Sequence, residues 1–260
     1  MFLIHIVKWN KWKLVTFTLY NTNMSGHSKW STIKRQKGVN DAKKGLIFSK
    51  LARAITLAAK QGGIDPDANF KLRLIVDKGR EANMPKENID RALRAAMGKL
   101  AGELYEVTYE GYGPGGVAIL VEATTDNKNR TAQEIKNIFE KGEGSLGTPG
   151  SVSYQFEPKG LILVNKGTSA DETMLALMEI EGVENMDEAE DGIEVMVRPN
   201  EVFLTKEKIE QAGMQVASAE VTMRPRTPIS LSEDKENKAL KLIENLDDQE
   251  DVQKVYVNIT

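Results

Sequence analysis

The sequence predicts an α+β protein in which a basic helical unit precedes two αβ units. Between Met24 and residue 102, apolar residues recur every three or four positions, as in amphipathic helices. From Glu103 onwards they form short alternating runs typical of strands, with helical segments between them. The charge changes sign at the same point: residues 24–102 hold 17 Lys/Arg and 7 Asp/Glu, whereas residues 103–260 hold 15 and 31. The two parts therefore differ in both fold and charge.

The helical unit is predicted to contain three helices. The first, residues 46–61, carries apolar side chains on one face and cations on another. The second is expected to begin at Asp65 and Pro66, which suit an N-cap and a first helical position. The third is expected to begin at Pro85 and to end at Gly98. The side chains predicted to be buried are Ile47, Phe48, Leu51, Ile55, Ala58, Phe70, Leu74, Ile75, Ile89, Leu93 and Met97.

The rest of the chain is predicted to form two ferredoxin-like αβ units, the second inserted in the first. The predicted strands are 103–110, 117–125, 151–156, 160–165, 192–199, 216–225 and 252–259, and the predicted helices are 129–141, 170–182, 205–212 and 235–246. The first αβ unit has too few predicted strands near its start to complete a sheet, and the strands at the end of the chain would supply the rest. We therefore expect residues 103–145 and 217–260 to form the first αβ unit and residues 146–216 the inserted one.

The first 23 residues do not fit this pattern. They contain three lysines, no acidic residue and no secretory signal or cleavage site. We expect residues 1–23 to be a poorly ordered extension, with Met24 as the biological start.

Composition argues against several classes of protein. The chain has no cysteine, which excludes disulfides and thiolate chemistry and favours a reducing cytoplasm. Its two histidines, His5 and His27, offer little for a catalytic triad or a metal site. No apolar stretch approaches the roughly 20 residues that a membrane-spanning helix requires. We therefore expect a cytoplasmic protein that is not an enzyme and uses no cofactor, metal or small-molecule substrate.

Nucleic acid is the predicted partner, because cations are concentrated near the start of the helical unit. Residues 24–60 contain nine Lys/Arg and one acid, Asp41. Trp30 suits either stacking on an unpaired base or covering the small helical core. In the segment DNKNRT, Asp126 or Asn127 suits a helix cap, and a nearby pair of cations could add a second phosphate contact. The predicted nucleic-acid contacts are Lys29, Trp30, Lys34, Arg35, Lys37, Lys43, Lys44, Lys50, Arg53, Lys128 and Arg130.

Four segments resemble the YebC/PmpR family. They are SGHSKWSTIKRQKGVNDAKKGLIFSKLARAI, GGIDPDANFKLRLIVDKGREANMPKENIDRAL, YEGYGPGGVAILVEATTDNKNRTAQEIKNIF and GSLGTPGSVSYQF. The resemblance extends from Met24 to the C-terminal VQKVYVNI. It implies a helical domain followed by two αβ domains, a cytoplasmic location in bacteria, and DNA binding in transcriptional regulation. This sequence departs from the family pattern at Glu143 and Ser145 and in its N-terminal extension.

Two functions remain open at the level of sequence. The resemblance implies a DNA-binding transcriptional regulator. It also implies an alternative, because relatives resemble ribosome-associated factors that help translation through proline-rich stretches, and a mitochondrial relative activates translation. No helix-turn-helix, zinc finger or basic zipper is visible that would read base edges. The sequence does not fix the oligomeric state or the target genes.

Overall fold

The computed structural model describes residues 41–98 and 103–259 of the chain. The helices in these ranges are α1 (Asp41–Gly62), α2 (Phe70–Glu81), α3 (Lys86–Met97), α4 (Lys128–Lys141), α5 (Ala170–Met178), α6 (Val202–Gln211) and α7 (Glu233–Asp247). The strands are β1 (Tyr105–Gly113), β2 (Val117–Thr125), β3 (Ser145–Leu146), β4 (Phe156–Val164), β5 (Asn185–Ala189), β6 (Gly192–Val197), β7 (Val216–Pro225) and β8 (Val252–Val257). Three helices followed by two sheets with their own helices confirm the α+β class.

The helical unit packs α1 against both α2 and α3. Ile55 and Ala58 of α1 meet Leu72 and Val76 of α2 in a small core. The buried positions differ in part from those predicted: Leu72 and Val76 are buried in α2, whereas Leu74 and Ile75 are only half-buried. Phe70 and Met97 are exposed, because Phe70 is the first residue of α2 and Met97 is the last residue of α3.

Asn69, rather than Asp65, caps the second helix. Its side chain accepts a hydrogen bond from the backbone N–H of Leu72 at 3.1 Å and donates to the carbonyl oxygens of Ala58 and Gly63, both at 2.8 Å. Asn69 is buried, so these three bonds satisfy its amide away from water. The helix therefore begins later than the sequence indicates, and residues 66–68 form a turn.

The first sheet has the order β3-β1-β2-β8, and all its neighbours are antiparallel. Its strands β1 and β2 are joined by a glycine-rich turn, Pro114–Gly116. Helices α4 and α7 cover one face, with Phe139 and Leu242 fully buried against β2. Gly111 allows this close packing: a Cβ there would lie 2.6 Å from the Phe139 ring and 2.6 Å from the Ser145 carbonyl oxygen.

The second sheet lies between β3 and α7 in the chain and has the order β5-β6-β4-β7. Its elements follow one another as β4-α5-β5-β6-α6-β7, the split βαβ arrangement of ferredoxin-like folds. The sequence assigned residues 217–225 to the first αβ unit. In the structure they belong to β7, which pairs antiparallel with the whole of β4, so they lie in the second sheet.

The two separate strands predicted at residues 151–156 and 160–165 are also absent from this sheet. Residues 153–155 form a short 3-10 turn, and one continuous strand, β4, replaces the two predicted strands. Strand β5 was not predicted. Its polar sequence, NMDEA, lies at the sheet edge, where one neighbouring strand is enough to pair it.

A charged junction joins the helical unit to both sheets. Glu220 of β7 accepts hydrogen bonds from Lys78 of α2 and Lys254 of β8, each with a nitrogen–oxygen distance of 3.0 Å. Burial opposes ionisation of Glu220, but Lys254 and Lys78 together hold its pKa well below its usual range. The carboxylate in turn raises the pKa of Lys78.

We expect Glu220→Gln to lower the free energy of unfolding by about 1 kcal/mol at neutral pH, because the partly exposed lysines lose their shared carboxylate. A depressed pKa in the folded state means that this stabilisation is present at neutral pH and is lost as the pH falls below about 4.5. Urea unfolding of the wild type and the variant at pH 7 and pH 3.5 should show a smaller difference in the free energy of unfolding at the lower pH. Glu207→Gln is the control, because Glu207 lies on α6 and has no side-chain partner in the part of the chain that the structure describes. A difference in the free energy of unfolding that does not change with pH would contradict a stabilising role for the ionised Glu220 carboxylate.

None of the described helices combines the length and apolarity that a membrane crossing requires. Within the same ranges, His, Asp and Glu side chains do not gather in a group of three suited to a metal ion.

Candidate nucleic-acid interface

The basic side of α1 faces an acidic turn at the junction of α7 and β8. We call residues 244–251 the acidic turn, since they include Glu244, Asp247, Asp248, Glu250 and Asp251. Lys43 Nζ lies 3.0 Å from an Asp248 carboxylate oxygen and 3.6 Å from Glu244. Lys50 Nζ donates to the carbonyl oxygen of Asp247. The hydrogen bond to Asp248 is the main reason that the pKa of Lys43 is raised.

Arg53 binds the acidic turn in three places. Its Nη1 lies 2.5 Å from an Asp251 carboxylate oxygen and 3.1 Å from the Glu250 carbonyl oxygen, and its Nη2 lies 2.9 Å from the Glu250 carboxylate. The fork of the guanidinium thus spans two consecutive residues of the turn. These contacts fix the helical unit against the first αβ unit.

Asp251 is the centre of this contact. Its side chain is 3% exposed, and its second carboxylate oxygen accepts hydrogen bonds from Arg130 Nη2 at 2.8 Å and Thr131 Oγ1 at 2.7 Å. Burial opposes ionisation of Asp251, but its hydrogen bonds to Arg130 and Thr131 and the charge of Arg53 lower its pKa. One buried carboxylate therefore connects α1 with the start of α4.

The segment DNKNRT caps helix α4. Asn127 accepts a hydrogen bond from the backbone N–H of Arg130 at 3.1 Å, which is the capping role that the sequence suggested. Lys128 Nζ lies 4.0 Å from the centre of the Tyr105 ring. Arg130 pairs with Asp126 at 3.0 Å as well as with Asp251. Both cations of this segment are thus engaged within the protein.

Within the helical unit, α3 carries three exposed cations. Lys86, Arg91 and Arg94 are exposed, and their side chains form no ion pair or hydrogen bond with residues 41–98 or 103–259. Glu87 and Asp90 lie on the same helix without pairing to them. This helix therefore presents three guanidinium or ammonium groups to solvent.

Two family models match the chain. Residues 28–99 match the model described as the TACO1/YebC protein N-terminal domain, and residues 104–259 match the one described as the TACO1/YebC second and third domain. The chain belongs to the TACO1/YebC family. This confirms the resemblance that the sequence motifs indicated.

Curated members of the TACO1/YebC family match nearly the whole chain. A Geobacillus thermodenitrificans protein is 48% identical over 239 residues, which cover 91% of this chain and 97% of the relative. A Thermoanaerobacter pseudethanolicus protein is 49% identical over 238 residues, with the same coverage. Both are named "Probable transcriptional regulatory protein". The crystal structure of a conserved hypothetical protein from Aquifex aeolicus has a TM-score of 0.78 and 40% identity, covering 85% of this chain and 91% of that one.

In this TACO1/YebC protein, the predicted nucleic-acid contacts fall into three groups. Lys29, Trp30, Lys34, Arg35 and Lys37 lie outside the described residues. Lys43, Lys50, Arg53, Lys128 and Arg130 contact groups of the protein itself, mostly acidic ones. Lys44 is exposed at the start of α1. All of them stay predictions as phosphate ligands, and those that contact the protein would have to exchange that partner for a phosphate.

The cations of α3 were not among the predicted contacts. The helix also contains two acids, Glu87 and Asp90, between Lys86 and Arg91, so it has little net charge. Their spacing gives only a partial signal, because Arg91 and Arg94 are three residues apart and neighbour each other on a helix, whereas Lys86 and Arg91 are five residues apart. A count of charged residues does not reveal exposed cations when acidic and basic residues are mixed along one helix.

Proposed function

We propose that this protein is a DNA-binding transcriptional regulator whose helical unit contacts the phosphate backbone. The observation that carries the proposal is the set of exposed cations on α3, Lys86, Arg91 and Arg94, which have no side-chain partner among residues 41–98 and 103–259. The excess of basic residues in 24–102 and the names of the relatives support it. The proposed role is that of a cytoplasmic binding protein rather than an enzyme.

Phosphate contacts would supply affinity without choosing a sequence. Lysine and arginine side chains that settle on phosphates release counterions, and this release drives binding of many nucleic acids. Helix α1, the longest helix of the unit, turns Lys43, Lys50 and Arg53 towards the acidic turn. It cannot enter a major groove with that side while the two units stay in contact. Base-specific readout by α1 is therefore not part of the proposal.

This orientation of α1 favours a second candidate, a ribosome-associated translation factor. Ribosomal RNA offers phosphates on an irregular surface, and its recognition relies on shape and unpaired bases rather than on a helix in a major groove. The α3 cations would serve that partner in the same way. The two candidates differ in their nucleic acid and share the contacting surface.

Crosslinking in living cells tests the proposal and separates the candidates. Ultraviolet light joins the protein to bound nucleic acid, which is sequenced, and the attached peptides are identified by mass spectrometry. We expect crosslinked peptides from the helical unit and the residues before it, 24–98. Enrichment of promoter DNA favours the first candidate, and enrichment of ribosomal RNA favours the second. Crosslinks confined to residues 103–260 would contradict both.

A further inference from the structure

A groove of about 570 Å³ lies between α1 and α3. From α1 it is lined by residues at helical spacing that include Phe48, Ser49 and Ala52, and from α3 by residues that include Asn88 and Arg91. Alanine and glycine occupy several other lining positions on both helices. Their small side chains leave space between the helices. The volume falls within the range of roughly 300–1,000 Å³ that is usual for small-ligand sites.

The floor of the groove is apolar and includes one aromatic ring. Phe48 is half-buried and Met84 is buried, and both line the groove. The hydroxyl of Thr56, which also lines it, donates to the carbonyl oxygens of Ala92 at 3.0 Å and Ala52 at 2.9 Å. That hydroxyl is therefore already satisfied by the protein. The floor offers an aromatic ring and apolar contact rather than hydrogen bonds.

The rim of the groove carries polar groups that have no partner in the described chain. The side chains of Ser49, Asn88 and Arg91 form no hydrogen bond with residues 41–98 or 103–259. Asp126, at one end of the groove, is paired with Arg130 at 3.0 Å, so its negative charge is compensated. An amide, a hydroxyl and a guanidinium thus line the groove together with apolar side chains, a combination found in sites that orient a small ligand.

We propose that this groove binds one unpaired nucleotide of a single-stranded nucleic acid. Its base would stack on the Phe48 ring, its edge would meet the Asn88 amide, and its phosphate would pair with Arg91. Stacking on an aromatic ring needs a base with a free face, which a nucleotide inside a duplex does not offer. The inference rests on the proposed function, and it adds a preference for single strands that α3 cations alone do not create.

Binding of a 12-nucleotide single strand with one central 2-aminopurine tests the inference. Stacking quenches the fluorescence of this base, and anisotropy of an end label measures affinity in the same sample. DNA and RNA strands of equal sequence distinguish the two sources, and a duplex of that sequence serves as the comparison. We expect wild-type protein to quench the fluorescence of at least one of the single strands.

Phe48→Leu keeps an apolar side chain but removes the ring, and we expect it to lower single-strand affinity about 5- to 10-fold and to abolish quenching. Duplex affinity should change less than about twofold, since phosphate contacts remain. Phe48→Tyr keeps an aromatic ring, so it should retain the single-strand affinity and the quenching of the wild type. Asn88→Ala, at a half-buried position without side-chain partners, should lower single-strand affinity without a change in thermal stability.

The possible failures are distinguishable. Unchanged single-strand affinity and quenching in Phe48→Leu and Asn88→Ala would overturn the groove inference while leaving phosphate binding intact. Absence of quenching by wild-type protein that still binds both strands would overturn it too, and would leave the groove to another occupant. Failure of wild-type protein to bind any of these nucleic acids would reject the proposed function itself.

Discussion

Asp251→Asn is expected to lower the free energy of unfolding by about 2–3 kcal/mol. The carboxylate is buried and shared by Arg53, Arg130 and Thr131, so an amide removes the one buried charge between two guanidinium groups. Each guanidinium then keeps only an exposed acid, Glu250 or Asp126. Breaking a buried pair by removing one partner typically costs about 3–5 kcal/mol, and the partial exposure of both arginines reduces that figure. Chemical denaturation followed by circular dichroism measures the loss.

Glu250→Gln is the matched control for Asp251→Asn. Both acids bind the same guanidinium of Arg53, but the side chain of Glu250 is 64% exposed. We expect its loss to change stability by less than about 0.5 kcal/mol, as is usual for surface pairs. Equal effects of the two substitutions would show that burial of Asp251 is not what stabilises the contact between the units.

The combined variant Lys86→Gln, Arg91→Gln and Arg94→Gln is expected to bind nucleic acid about 50- to 150-fold more weakly at physiological salt. The slope of log affinity against log salt concentration reports the number of phosphate contacts. If each side chain contacts one phosphate, its neutralisation makes this slope shallower by about 0.9 on duplex DNA and by about 0.7 on single strands. All three residues are exposed on α3, and none is paired within the described ranges, so the fold should not change. Fluorescence anisotropy measures the affinity.

The chain offers a matched control with the same change of charge. Lys141, Lys235 and Lys241 are exposed on α4 and α7, and their side chains are unpaired within the described ranges. Replacing these three lysines with glutamine removes three positive charges from the first αβ unit, the same number that the α3 variant removes from the helical unit. We expect this control to retain affinity within about threefold. An equal loss in both variants would show that overall charge, rather than the α3 surface, governs binding.

Local signals in the sequence predicted most of the elements. The turn Pro114–Gly116 follows from its glycines and proline, and α4 follows from the spacing of Ile135 and Phe139 after the Asn127 cap. These features depend on residues within a few positions of one another, so their physical cause is visible in a short segment. The change of period after residue 102 likewise separates the helical unit from the sheets.

Other features depend on contacts between distant parts of the chain. The alternating pattern of β7 fits either sheet, and only its pairing with β4 assigns it to the second. Lys43 and Asp248 are 205 residues apart, so the sequence shows a basic helix and an acidic turn but not that they meet. Lys43, Lys50 and Arg53 of α1 consequently look free in the sequence, whereas in the structure they hold two units together.

The dependence of affinity on salt concentration tests the central claim most directly, because its slope reports how many phosphates the protein neutralises. Wild-type protein and the α3 variant would be titrated with one duplex and one single strand between 50 and 300 mM salt. We expect a steep loss of affinity for wild-type protein, and a slope shallower by about 2 to 3 units in the α3 variant. Identical slopes for the two proteins would contradict the claim that α3 contacts the phosphate backbone.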